Sequence, residues 1–321
     1  MTDPNRRPSR RLFWVALIVF DLAVFAAGYA VYRAFRLPDG IELNRVAWEA
    51  TYRERQLPVP PGGPREGYWG EKLEPYRLQT QFGPLVCDAV APGRYAYDAM
   101  GRQVIEAAAD APASHLLIMG GSVAGGAYAS DLAHTYFSRL GELLGQAGHP
   151  VSITVWGAGG WTTANEVPAM EWLVEREAFD VVLFLDGLND LTEARDLPLA
   201  RRLETYLENL QQARDFLHAH GVPLVIAPQP YLPDKPVKTR LERRILRLHE
   251  FDEHHRFAFE GLRVGLAELA AVDGVHLIDC TQVLNAETVT TFADLWHFSD
   301  RGHELLARHL AAALAPLLAD D

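Results

Sequence analysis

Residues 115–126 read HLLIMGGSVAGG, a short apolar run that passes directly into a glycine-rich loop around Ser122. An apolar run bounded in this way predicts a strand buried on both faces. Glycines on either side of a serine let such a strand turn sharply and bring backbone amides close to a ligand. No GKS or GKT follows, so the loop is not a phosphate-binding P-loop, and it lacks the GxGxxG spacing of a dinucleotide site. By itself it reads either as a tight turn or as the seat of an exposed nucleophile at the head of a sheet.

Working outward, further apolar runs occur at 151–156, 181–185, 222–227 and 275–278. Helical stretches lie between them at 135–146, 163–177, 200–220 and 241–271, and a last one covers 302–318. Strands alternating with helices predict an α/β fold, a parallel sheet covered on both faces. In such sheets functional groups gather at the carboxyl ends of the strands. The 321 residues are 49% hydrophobic and 22% charged, the balance of a globular chain with a sizeable core. A formal net charge of −12 repels phosphate backbones and argues against nucleic acid as a partner.

The first residues differ from the body. Arg6, Arg7, Arg10 and Arg11 precede the run LFWVALIVFDLAVFAAGYAVY at 12–32, long enough to span a bilayer as a helix. Asp21 near its middle costs about 2.5–3.5 kcal/mol on insertion scales, which the surrounding Leu, Ile, Val and Phe offset. The expectation is a cytoplasmic basic tail at 1–11 and a transmembrane anchor at 12–32, with a signal peptide as the alternative. Membrane attachment would then place the catalytic body on the extracytoplasmic side. Residues 33–113 read as a juxtamembrane linker and domain-flanking segment, broken by LPVPPGGP at 57–64, and the α/β domain occupies 114–321. Cys87 and Cys280 form no CxxC pair, which argues against zinc and redox motifs. In an exported domain they could form one disulfide, but two unpaired buried thiols are the commoner outcome.

The other strand ends carry chemistry too. WGAGGWTT at 156–163 offers bare amides to a developing oxyanion, or a turn into a helix capped by Thr162 or Thr163. Asn189, in Gly187-Leu188-Asn189-Asp190, is a neutral amide donor or ordinary turn chemistry. Before the last helix stand Asp294 and His297. A serine hydroxyl needs an imidazole base, and the imidazole needs a carboxylate to fix its tautomer and stabilise its charged form. A metal site from Asp294, His297, Asp300 and His303 is the weaker reading, because Ser122, Gly160 and Asn189 would then lack a purpose. HEFDEHH at 249–255 lacks the HExxH spacing and reads as a solvated helix face. No cofactor is called for.

Taken in order, Ser122, Gly160, Asn189 and the Asp294–His297 pair resemble the four blocks of the SGNH hydrolases, also called the GDSL esterase/lipase family. The likeness runs from about Ser114 to Leu318. It implies a three-layer α/β/α, flavodoxin-like sandwich with a five-stranded parallel sheet. It also implies Ser122 as nucleophile, His297 as base and Asp294 as its orienter. The oxyanion hole would come from the Ser122 and Gly160 amides and the Asn189 side chain. Two positions depart from the family pattern. Gly121 replaces the usual Asp of GDS, and Val155 or Trp156 stands where an Asn often precedes block two, which favours Gly160 over Gly157. The function implied is a serine esterase that removes a short acyl group, acetyl first, from an envelope glycan or other acylated small molecule. The same residues would serve an O-acyltransferase, and an inactive glycan-binding scaffold is the third reading. Gln229-Pro230-Tyr231 either lines the acyl or alcohol pocket or is a plain surface loop, and Trp161 and Trp296 either form an aromatic rim suited to sugar rings or are packing residues.

Overall fold

The computed structural model describes residues 10–35, 76–87, 98, 100–107, 114–192, 197–248 and 254–319. The chain forms two compact units, Met1–Glu42 and Leu43–Asp321. In the first, α1 (Arg10–Phe35) is a 26-residue helix with exposed apolar side chains such as Trp14, Ile18, Phe20 and Phe25. The run at 12–32 is therefore helical, but its expected membrane-spanning character is corrected. Among the described residues no helix is long and apolar enough to cross a membrane. Asp21 interrupts the middle of α1, and Arg10, Arg11 and Arg33 lie within its ends.

In the second unit, β1 (Tyr76–Thr80) and β2 (Gly83–Cys87) form an antiparallel hairpin within the segment expected to be linker. Asn165 Nδ2 donates to Phe82 O at 2.9 Å, and the Phe82 ring meets Trp156 edge-on at 5.6 Å. The hairpin turn is thus part of the packed body. A six-stranded mixed sheet follows, rather than the expected five parallel strands. Its members are β3 (Gln103–Ile105), β4 (Ser114–Gly120), β5 (Val151–Gly157), β6 (Val181–Asp186), β7 (Leu224–Pro228) and β8 (Val275–Leu277), in the order β3-β5-β4-β6-β7-β8. Five of them run parallel, and β3 adds to the β5 edge antiparallel. Three residues are too few to leave a periodic signal, which is why β3 was hidden in the linker.

The helices are α2 (Tyr136–Gln146), α3 (Thr163–Val174), α4 (Leu188–Thr192), α5 (Leu199–Ala219), α6 (Arg240–Leu248), α7 (His254–Leu269) and α8 (Asp300–Leu318). α2 packs on α8, while α3, α5 and α7 pack in sequence as a separate layer. Right-handed crossovers put these two groups on opposite faces of the parallel strands. Covered on both sides, Leu117 to Met119, Val182 to Leu185 and Val225 to Ala227 are fully buried, and the strands read as unbroken apolar runs. Of the helix expected at 241–271 the described residues show α6 and α7, and HEFDEHH falls largely outside the described residues. Cys280 is a free, buried thiol, so the disulfide alternative fails at that end; the Cys87 side chain lies outside the described residues.

The chain leaves β4 to form β5 on one side and then returns to form β6 on the other. This reversal opens a crevice at the carboxyl ends of β4, β5 and β6.

Candidate active site

The loop after β4 winds tightly around Ser122. Gly125 N–H donates to Gly121 O at 3.1 Å, Gly126 N–H to Val123 O at 3.0 Å, and Ala127 N–H to Ser122 O at 3.1 Å. Two glycines make this possible. A Cβ on Gly157, at the end of β5, would stand 2.5 Å from Gly125 N and 2.8 Å from Gly121 O. At Gly121 a Cβ would stand 2.3 Å from Asn189 Nδ2. Any side chain at position 121 would therefore have to displace the Asn189 amide from its present place.

Asp294 and His297 arrive on a hairpin loop closed by a bridge between Phe292 and Phe298. Ala293 N–H donates to His297 O at 2.9 Å, and Ser299 N–H to Thr291 O at 2.9 Å. Within the loop, Asp294 Oδ1 accepts from the backbone N–H groups of Trp296 and His297, both at 2.8 Å. Its other oxygen, Oδ2, pairs with His297 Nδ1 at 2.7 Å, and His297 Nε2 reaches Ser122 Oγ at 2.8 Å. The three side chains form one continuous relay. Burial alone would raise the Asp294 pKa, but the His297 ring and these hydrogen bonds outweigh it and hold the carboxyl below its ordinary value.

Asn189, on α4, donates from Nδ2 to Trp161 O at 2.7 Å. An amide carries two donors, and the Trp161 bond engages one of them. Gly160 sits in the left-handed region at φ +76°, where glycine is favoured. Ser122, Gly160, Asn189 and His297 line one cleft of about 250 Å³, with Gln229 and Trp296 at its wall. All five residues singled out for chemistry are thus gathered at this end of the sheet. Of the aromatic candidates, Trp296 faces the cleft and stacks on buried Tyr231 at 5.0 Å, with planes 11° apart. Trp161 is buried and packs against Trp156 at 5.7 Å.

Asp300 and His303 do not join Asp294 and His297. Asp300 accepts from Ser130 N–H at 2.7 Å and from Ser130 O–H at 2.6 Å. His303 is fully buried against Ala127 O at 3.3 Å, and burial lowers its pKa to about 3, so the ring is neutral. Among the described residues no group of three or more His, Cys, Asp or Glu side chains is arranged to hold a metal ion.

A carboxyl cluster behind Asn189 was not anticipated. Glu166 on α3, Asp186 at the end of β6 and Asp190 on α4 are all buried beside the Tyr206 hydroxyl. Asp190 accepts from Thr163 N–H at 3.1 Å and Thr163 O–H at 2.5 Å, tying α3 to the Asn189 turn. Among the described residues neither Glu166 oxygen meets a hydrogen-bond donor. Burial, and then mutual proximity, push Glu166 and Asp186 well above the usual carboxylate range. The sign follows directly: an acid raised in the fold is best tolerated below its unfolded pKa, about 4.3 for Glu, and stability falls as pH rises above that value. Glu166→Gln is therefore expected to raise the melting temperature at pH 8 by about 2–4 °C or more. Thermal unfolding followed from pH 4 to pH 8 checks this: the gain should vanish toward pH 4, and a loss at pH 8 would contradict it.

The family profile of GDSL-like lipase/acylhydrolases matches residues 118–305, more than half of the chain. No curated protein matches the sequence. Among solved structures, a lipase/acylhydrolase from Enterococcus faecalis is 19% identical, covering 64% of this chain and 96% of its own, with a TM-score of 0.48. An aryl esterase from M. smegmatis is 17% identical over 64% of this chain and 100% of its own, with a TM-score of 0.48. A family 3 carbohydrate esterase from Clostridium thermocellum is 16% identical over 65% of this chain and 98% of its own, with a TM-score of 0.46. With the strand-end blocks in family order and the profile spanning them, the chain belongs to the GDSL-like lipase/acylhydrolase family and is a serine ester hydrolase.

Proposed function

We propose that the chain cleaves short acyl esters, acetyl first, with Ser122 as nucleophile. The observation that carries this reading is the unbroken relay from Ser122 Oγ through the His297 ring to Asp294, at 2.8 and 2.7 Å. His297 Nε2 takes the Ser122 proton as Oγ attacks the ester carbonyl. The tetrahedral oxyanion is met by the Ser122 and Gly160 amides and by Asn189 Nδ2. His297 then protonates the leaving alcohol, and the acyl-serine forms. Water deprotonated by His297 releases the acid and restores Ser122.

A cleft of about 250 Å³ lies below the common range for drug-sized ligands and suits a two-carbon acyl group. Trp296, backed by Tyr231, and Gln229 give its wall an aromatic face and an amide. Such a wall suits the ring and hydroxyls of a sugar as the alcohol portion. The chain is therefore expected to hydrolyse p-nitrophenyl acetate with kcat/KM about 10-fold or more above p-nitrophenyl octanoate. Equal or better use of octanoate would rule out the short-acyl reading. Transfer to a sugar hydroxyl uses the same residues. Measuring acetate release against acetylated glycan formation separates the two.

We place the catalytic unit on the extracytoplasmic side, attached to a lipid surface through the exposed apolar side chains of α1. Arginines at 6, 7, 10 and 11 ahead of an apolar run suit a chain directed for export. A reporter active only in the cytoplasm, fused after Asp321, should stay silent; activity there would refute this placement.

A further inference from the structure

Tyr128 is the one non-glycine residue with a left-handed backbone among the described residues, at φ +72°. A side chain in that region crowds its own carbonyl, so the conformation persists only where neighbours hold it. The backbone on both sides of Tyr128 is held. Before it, Ala127 N–H donates to Ser122 O at 3.1 Å, and Ala127 O faces His303 Nε2 at 3.3 Å. After it, Ala129 N–H donates to Gly126 O at 3.2 Å, and Ser130 is fastened to Asp300 through both its N–H and O–H. The consequence is a stacking contact on the base: the Tyr128 ring lies 4.6 Å from the His297 ring, with planes 21° apart. One loop therefore delivers two groups to the imidazole. Ser122 Oγ meets Nε2 at the ring edge, and Tyr128 covers a ring face.

We propose that Tyr128 is a positioning residue for His297. It fixes the plane of the imidazole, so that Nε2 stays on Ser122 Oγ while Nδ1 stays on Asp294. Its π face also favours the imidazolium that forms as the Ser122 proton moves. The proposal rests on the reading of His297 as the base. The strained backbone is the cost of placing an aromatic ring at this point of the loop, where a glycine would fit without strain.

The test uses the full chain and three variants. Tyr128→Gly suits the left-handed backbone and removes only the ring; Tyr128→Phe keeps the stacking face; Tyr128→Leu keeps bulk without it. With p-nitrophenyl acetate, Tyr128→Gly and Tyr128→Leu are expected to lose about 10–100-fold in kcat, with KM changed by less than about 2-fold. The rate of fluorophosphonate labelling should fall in parallel. Tyr128→Phe should recover kcat to within about 3-fold, and the melting temperature of Tyr128→Gly should not fall. Unchanged kcat in both Tyr128→Gly and Tyr128→Leu overturns the proposal. A rise in KM alone would assign Tyr128 to substrate contact instead, and a kcat loss tracking a fall in melting temperature would make its role structural. Either result overturns positioning. A wild type inert toward both ester and probe would instead overturn the reading of the relay on which the proposal stands.

Discussion

Asp294→Asn is expected to lower kcat on a short ester about 10⁴-fold while leaving the fold intact. Oδ1 of the new side chain still accepts from the Trp296 and His297 amides, so the loop keeps its shape. The change falls on the other atom. Where Oδ2 now accepts from His297 Nδ1 at 2.7 Å, an asparagine presents an N–H donor. The imidazole must then carry its proton on Nε2, facing Ser122, and can no longer take the serine proton. Steady-state kinetics beside circular dichroism checks both halves. A loss below about 10-fold would mean that Asp294 does not set the tautomer. Collapse of the spectrum would mean that its part is structural.

The second large effect is on stability. Lys235 and Glu242 are both fully buried and paired, with Nζ at 2.7 Å from Oε1 and 2.9 Å from Oε2. Lys235 Nζ also donates to Thr291 Oγ1 at 3.0 Å and Val289 O at 3.1 Å. Glu242 accepts from Thr291 N–H at 3.0 Å and Thr239 N–H at 2.8 Å. This pair anchors the stem of the loop that carries Asp294 and His297. Lys235→Met would leave a carboxylate buried without its partner and should cost about 3–5 kcal/mol, a fall of about 6–20 °C in melting temperature. Lys235→Met with Glu242→Leu removes both charges and should recover part of that loss. Thermal unfolding of the three proteins decides it, and a single-variant loss under about 1 kcal/mol would show that water reaches the pair.

How much of this was legible in the sequence differs by element. The parallel strands showed plainly, because burial on both faces makes them continuous apolar runs. Ser122, Gly160, Asn189, Asp294 and His297 showed through their order at strand ends. β3 and the β1–β2 hairpin did not, since strands of three to five residues in a proline-rich stretch leave no period. Glu166 and Asp186 read as ordinary polar positions, for only the fold decides that a carboxyl is buried. Tyr128 was invisible for a related reason: a left-handed backbone at a tyrosine follows from contacts on both sides of the loop, not from local preference.

One measurement bears on Ser122 most directly. The full chain would be treated with a fluorophosphonate and digested, and the adduct located by mass spectrometry, beside Ser122→Ala and His297→Ala. The expected result is a single adduct on Ser122, absent from Ser122→Ala and formed at least about 100-fold more slowly in His297→Ala. An adduct on another serine, or undiminished labelling of Ser122→Ala, would contradict the assignment of Ser122 as the nucleophile.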